Sequence, residues 1–543
     1  MTIMSNFAPT FANFDIPSWF KTQHLAGMLR GIEKEGLRVR PDGYLAQTPH
    51  PAKLGSKLTH PFITTDYSES LLELITDPKE SPKETLNMLR QLHVLVYKAL
   101  PEEELMWPLS MPCMLSANDE DIPLADYGSS NTGKLKTLYR SGLGIRYGRR
   151  MQTIAGLHYN LSFGDGLFEY WHTQAADTQN QTQKQAENQP QDQNQAQSLS
   201  AFKNAKYLGL IRNFKRLTSL ILYLLGASPS VCPCFLAGRE HDLELLNDST
   251  YYKPTATSLR MGKLGYTNSV QEHLDIRYNY LPEYVDGLRR AIKTPHESFQ
   301  KLGLNDADGN PIQINDHILQ IENEYYSPIR PKQIAASGET PTEALERRGI
   351  AYVEFRAIDL DPYSDVGIRL SSACFLEVMA LYCLLNDSPE LLPAEEDELA
   401  INLERVVNEG RREGLTILNN GSEQPLESWM LDHLSNMQPL AALLDAHYGG
   451  NDYRAAVALM QGKAGHSEST ISAQVNADSE RLGSMWQLGF TLAQQHRDSL
   501  LQQTLSPNTQ AKYEVLAEKS ILQQAEIEAA ETEDFMQFLQ QYR

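Results

Sequence analysis

Four stretches of the sequence gather side chains that could hold a cation or a phosphate. The first is Gly31-Ile32-Glu33-Lys34-Glu35-Gly36-Leu37-Arg38-Val39. On a strand, Glu33 and Glu35 project to one face, where two carboxylates repel unless a cation or an arginine lies between them. Hard cations such as Mg²⁺ favour such oxygen donors; a solvated edge strand is the plainer alternative. The second stretch, residues 64–76, carries Asp66, Glu69 and Glu73. A helix would align all three along one stripe, whereas a strand from Leu71 would point Glu73 away from Leu72 and Leu74. In either case Glu73 sits in an apolar run, where a charge needs a partner.

The third stretch, residues 153–163, alternates His158, Asn160 and Ser162 with Leu157, Tyr159, Leu161 and Phe163. A polar row opposite an apolar one is ordinary for a half-exposed sheet, and His158 becomes a candidate ligand only if the acidic strands are its neighbours. In the fourth, residues 351–359, Tyr352, Glu354 and Arg356 share one face and Val353, Phe355 and Ala357 the other. Glu354 and Arg356 could form a structural ion pair. They could equally be a metal ligand beside a phosphate clamp, arginine offering a rigid fork of donors. Upstream, Gln320, Glu322, Glu324 and Tyr326 also alternate, followed by Arg330 and Lys332. Several strands with acidic inner faces predict a sheet that wraps a wet, charged cavity.

The elements that must position these groups are legible in outline. Residues 81–100 have a Ser-Pro start, an acidic first turn and apolar residues at helical spacing. Residues 201–225 and 282–293 read as helices, and 312–326 and 351–360 as strands. From about residue 371 the pattern is mostly helical. Strands scattered among helices without regular βαβ spacing predict an α+β fold with an antiparallel sheet. One segment stands apart: residues 174–197 hold 13 Gln or Asn in 24 positions. It has too little apolar surface to offset its ordering entropy, and reads as a disordered surface insertion.

Composition narrows the function classes. The 543 residues carry 69 acidic and 48 basic side chains, a formal net charge of −21. That excess argues against a general binder of nucleic acid or anionic membrane. An anionic substrate would have to be reached through local cations. The five scattered cysteines predict free thiols in a reducing compartment, and no apolar run reaches the ~20 residues of a membrane span. A soluble cytoplasmic protein is the expectation. Residues 128–134 begin like a phosphate-binding loop, but Leu135 stands where Ser or Thr must hold Mg²⁺. Length alone suggests three or four domains at ~150 residues each.

Taken in order, GIEKEGLRV, TTDYSESLLELIT, MWPLSMPC, YGSSNTGKLKTLYR, MQTIAGLHYNLSF, LLGASPSVC, ATSLRMGKLGYTN, IENEYYSPIRPK and GIAYVEFRAIDLDP resemble the proteobacterial type of glutamate–cysteine ligase. The resemblance runs from about residue 31 to 362. It implies a glutamine-synthetase-like α+β fold, a curved antiparallel sheet forming a funnel flanked by helices. It also implies one catalytic domain over 1–543, with 371–543 a helical part of the same unit. The implied Mg²⁺ ligands (Mn²⁺ being the alternative ion) are Glu33, Glu35, Asp66, Glu73, His158 and Glu354. Tyr139, Tyr266 and Tyr326 would surround the incoming cysteine, and Arg140 and Arg260 would contact substrate. Arg356 would meet the transferred phosphate, with Arg330 and Lys332 on the nucleotide. The implied partners are L-glutamate, L-cysteine and ATP, with neither nucleic acid nor membrane, and a monomer is expected. The rivals are a ligase using another amine, a metal-dependent hydrolase that works without ATP, and a catalytically silent binding protein.

Overall fold

The computed structural model describes residues 11, 14–112, 114–185, 198–265, 270–271, 274–336 and 338–543. Its strands, in chain order, are β1 (Leu29–Val39), β2 (Ile63–Thr65), β3 (Leu71–Ile75), β4 (Leu105–Met106), β5 (Leu157–Ser162), β6 (Ser230–Val231), β7 (Glu244–Asn247), β8 (Thr250–Tyr252), β9 (Ile329–Lys332), β10 (Tyr352–Ile358), β11 (Thr416–Asn419) and β12 (Ser422–Pro425). The main sheet runs β2-β3-β1-β5-β10-β9, with β4 joined to the far end of β1. Every pairing in it is antiparallel. The α+β class expected from the sequence is therefore the class adopted.

Strand β1 is the longest and lies between β3 and β5. Its alternation is the reason: Ile32, Lys34 and Arg30 turn to a helix-covered back, and Glu33 and Glu35 turn to the front. Helix α1 (Pro82–Ala99) packs on β1 and β3. It starts where the sequence predicts, with the Ser81 hydroxyl accepting from Glu84 N at 3.2 Å and Pro82 in the first turn. After it come α2 (Asn131–Tyr147), α3 (Asp165–Gln185), α4 (Leu199–Arg216) and α5 (Thr218–Leu225). Helices α4 and α5 cover β10, and α4 also reaches β9.

The helix Leu370–Leu385 is buried on all sides from Ser372 onward, as its nearly unbroken apolar sequence demands. Its one acid, Glu377, is fully buried beneath the sheet. Arg30 Nε and Nη2 each donate to it at 2.8 Å, Tyr159 Oη at 2.6 Å and Tyr453 Oη at 2.7 Å. One carboxylate thus ties the backs of β1 and β5 to two helices. No helix among the described residues is long and apolar enough to cross a membrane.

Three expectations need correction. Residues 312–326 form no strand; they run as an irregular segment ending in a 3₁₀ turn, Glu322–Glu324. Residues 201–225 form two helices, because the Thr218 hydroxyl turns back to Phe214 O at 3.1 Å and the chain breaks at Leu217. Residues 174–185 continue α3, whereas 186–197 lie outside the described residues. Cys232, Cys234, Cys374 and Cys383 are free thiols; Cys113 lies outside the described residues.

Candidate functional site

The front of the sheet opens into a cavity of about 670 Å³. Strand register brings the acidic stretches together: Glu33 stands opposite His158, Glu35 opposite Glu73, and Glu354 opposite Asn160 on one side and Arg330 on the other. All line the cavity apart from Asn160. Glu69 does not join them, because its carboxylate binds Lys57.

At the centre, one donor atom each from Glu33, His158 and Glu354 lie within 4.8 Å of one another. His158 Nδ1 is 3.4 Å from Glu33 Oε2 and 3.7 Å from Glu354 Oε1. Asn160 Nδ2 donates to Glu33 Oε1 at 2.9 Å, while its buried Oδ1 has no protein partner. Glu354 is nearly inaccessible, and its two oxygens meet Lys332 Nζ at 3.4 Å and Arg356 Nη1 at 3.1 Å. Burial opposes its ionisation, but Lys332, Arg356, His158 and Arg330 together hold it well below the usual carboxylate range. Burial likewise opposes ionisation of Glu33, but the hydrogen bond and charge of His158, with Lys332, leave its carboxyl below the usual range. Burial, then Arg356, pushes the His158 imidazole down. Two carboxylates and an imidazole are a donor set that suits a divalent cation.

The second group behaves differently. Burial and then Asp66 push the Glu35 carboxyl up to about 8, even though Gly156 N donates to its Oε2 at 2.6 Å. Burial, Glu33, Asp66 and Glu35 raise Glu73 well above its ordinary range. A cation placed among Glu35, Asp66 and Glu73 would remove this repulsion, as like charges sharing a site require.

The rest of the cavity lining is cationic and aromatic. Arg140 on α2 donates through Nε to the Asp66 carbonyl, with Nη2 3.9 Å from Asp66 Oδ1. Arg260, fully buried in the turn Leu259–Met261, reaches Asp359 Oδ1 at 3.3 Å and donates to Arg356 O at 3.2 Å. It passes so close to Gly156 that a Cβ there would lie 2.1 Å from Nη2. Arg330 Nη2 donates to Asn323 O at 3.2 Å. Tyr139 and Tyr326 complete this lining; Tyr266 lies outside the described residues.

Thirteen of the fourteen site residues that the resemblance implies thus line one cavity. Others were missed. Arg146 and Tyr147 line it too, and their spacing of seven from Tyr139 and Arg140 on α2 was the available signal. Arg146 Nη1 is 3.1 Å from Glu324 Oε1, and Tyr147 Oη donates to the same oxygen at 2.6 Å. Glu324 therefore belongs to a wall rather than to an inward row, and Glu322 is turned away to accept from Thr342 N at 2.8 Å. Lys263 and Gln271 sit in irregular segments that gave no signal.

A family model described as glutamate-cysteine ligase matches residues 18–406. A glutamate–cysteine ligase of Alcanivorax borkumensis is 46% identical over 523 residues, covering 95% of this chain and 96% of the relative. One of Pseudomonas putida is 45% identical over 516 residues, covering 95% and 94%. Among solved structures, a glutamate–cysteine ligase of Francisella tularensis in complex with AMP superposes with a TM-score of 0.86 at 34% identity, covering 95% of this chain and 97% of that one. A bifunctional glutathione synthetase of Pasteurella multocida shares the fold, with a TM-score of 0.66 at 24% identity over 91% of this chain and 56% of that one.

Proposed function

We propose how the cavity works from one premise: the chain belongs to the glutamate–cysteine ligase family. It forms γ-glutamylcysteine, the first step of glutathione synthesis, and uses ATP to do so. In the reading proposed here, Glu33, His158 and Glu354 hold one Mg²⁺, Mn²⁺ being the alternative ion, and Glu35, Asp66 and Glu73 hold another. The clustered donor atoms of Glu33, His158 and Glu354 support the first site, and the mutual repulsion of the buried Glu35 and Glu73 beside Asp66 supports the second. When bound, the cations neutralise phosphate charge and make the γ-phosphorus more electrophilic.

The remaining steps belong to the chain's own residues. Arg356, braced by Glu354, is aimed to hold the transferred phosphoryl group, and Arg330 and Lys332 to hold the rest of the triphosphate. The glutamate γ-carboxylate attacks the γ-phosphorus; an O–P bond forms and the bond to ADP breaks, giving γ-glutamyl phosphate. The cysteine amine then attacks the activated carbonyl, a C–N bond forms, and phosphate leaves as the amine loses a proton. Arg140 and Arg260 orient substrate carboxylates. Tyr139 and Tyr326 wall off the amine site, with Tyr266 assigned to the same task. No protein nucleophile is needed, since positioning and charge neutralisation carry phosphoryl transfer. The whole chain acts as one catalytic unit in this reading, a monomer in a reducing cytoplasm.

The observation that carries this reading is the shared use of Glu354 by His158, Lys332 and Arg356. Its test is ADP release with ATP and glutamate, with and without cysteine, in Glu33→Gln and Glu354→Gln. Both should lose activity by about 100-fold or more and bind Mn²⁺ more weakly. Near-normal turnover and Mn²⁺ binding in both would remove them from the ligand set.

A further inference from the structure

Residues 528–543 reach back from the far end of the chain to the cavity's cationic and aromatic wall. The helix Pro507–Ala530 ends beside the start of α2. There Glu528 Oε1 accepts from Ser129 N at 2.9 Å, and Glu531 Oε2 accepts from Asn131 N at 2.9 Å. Both amides precede the first intrahelical bond of α2 and would otherwise lack partners. The carboxylates also oppose the positive end of that helix. Asn131 Nδ2 adds a bond to Glu533 O at 2.9 Å.

The chain then turns through the short helix Phe535–Leu539, capped by Asp534. Leu539 is fully buried against Leu138 of α2 and Ile314, a small apolar cluster separate from the main core. Beyond it, Asn315 Nδ2 donates to Tyr542 O and Arg543 Nε to Ile314 O, both at 3.1 Å. The segment therefore clamps α2 and residues 312–326, the two elements that bring Tyr139, Arg140 and Tyr326 to the cavity. Tyr139 is the link, since it packs on the Leu539 cluster and also lines the cavity. The metal-ligand candidates Glu33, His158 and Glu354 are fixed instead by the ladder of the sheet.

We propose that residues 528–543 are a positioning element for substrate binding, with Leu539 acting through Leu138 and Tyr139. This rests on the reading that the cavity takes glutamate, cysteine and ATP. It separates the Glu33–His158–Glu354 ligand set, held by the sheet, from a substrate half set by this clamp. A side chain at 539 should therefore change substrate binding without changing the cation site.

The test uses the full chain as Leu539→Ala, Leu539→Met and Glu531→Gln. ADP release gives kcat and a KM for each substrate, and Mn²⁺ binding is followed by its paramagnetic resonance. Leu539→Ala should raise the KM for glutamate or cysteine about tenfold, with kcat within about threefold and Mn²⁺ affinity unchanged. Leu539→Met should restore most of the loss, being close in volume. Glu531→Gln, which alters no apolar core, should move the same KM in the same direction by about threefold. Unchanged KM values in both Leu539→Ala and Glu531→Gln would overturn the proposal. So would a joint loss of kcat, substrate binding and Mn²⁺ affinity, or normal kinetics in Glu531→Gln should Leu539→Ala not fold. Absence of ADP release from the unaltered protein would instead defeat the functional reading beneath it.

Discussion

Glu35 of β1 and Glu73 of β3 stand directly opposite each other in an antiparallel pair. Like charges at opposed positions repel, and burial with Asp66 raises the proton affinity of both carboxyls. Keeping such a pair costs the free protein stability, and the proposed cation would offset that cost.

Glu73→Gln should accordingly raise the melting temperature of the metal-free protein by about 1–3 °C. It should also abolish part of the stabilisation that added Mg²⁺ confers. Glu35 binds its proton more tightly in the fold (about 8) than in the unfolded chain (4.5). Stability from this source is therefore full below the unfolded value and lost as pH rises toward 8. The gain from Glu73→Gln should be larger at pH 8 than at pH 5. Thermal melts with and without Mg²⁺ at both pH values check this; a lower melting temperature in the metal-free variant would contradict it.

The Arg30–Glu377 pair predicts a stability effect distant from the cavity. Glu377→Ala should cost about 3–5 kcal/mol, because it leaves the Arg30 guanidinium buried without its carboxylate. Removing both charges, as Arg30→Met with Glu377→Leu, should recover most of that loss. Urea unfolding of the three proteins measures it, and equal stability of the single and double variants would rule the explanation out.

Acid sensitivity should trace partly to His433. Burial pushes its imidazole down to about 3, and Trp429 and Tyr382 pack around it, with Tyr382 Oη 3.2 Å from Nδ1. The unfolded chain takes up this proton below 6.5 and the fold does not until about 3. Stability is thus full above the unfolded value and lost as pH falls through that interval, at about 1.4 kcal/mol per pH unit. In His433→Phe the fall in stability from pH 6.5 to 4.5 should be shallower than in the unaltered protein. Parallel pH profiles would exclude His433 as a cause.

Gly156→Ala tests the close approach of Arg260. The added methyl must displace a guanidinium already held by Asp359 and the Arg356 carbonyl. We expect kcat/KM to fall about tenfold or more, from misplacement at the reacting centre. A Gly156→Ala enzyme of normal kcat/KM would show that Arg260 yields freely.

The sheet was legible because its strands obey a period of two, so Glu33 with Glu35 and Glu354 with Arg356 fall on one face whatever lies around them. Glu73 was legible as a charge stranded among leucines. Residues 320–326 show the same alternation, yet Glu322 satisfies Thr342 and Glu324 satisfies Arg146, 178 positions away in sequence. Alternation records faces but not partners, and a partner that distant leaves no local mark. Leu539 was invisible for the same reason: its neighbours Leu138 and Ile314 come from other parts of the chain.

Because β1 pairs on both sides and turns Glu33 and Glu35 to the cavity while Ile32 and Lys34 between them face the other way, length changes and substitutions are not equivalent there. Gain or loss of a single codon within residues 29–39 would turn the downstream part of the strand over. A change ahead of Glu33 would turn Glu33 and Glu35 to the helix-covered face and bring Lys34 toward the cavity. Natural variants of this enzyme should therefore tolerate exchanges along β1 while showing almost no insertions or deletions in it, a pattern that surveys of related chains can count directly.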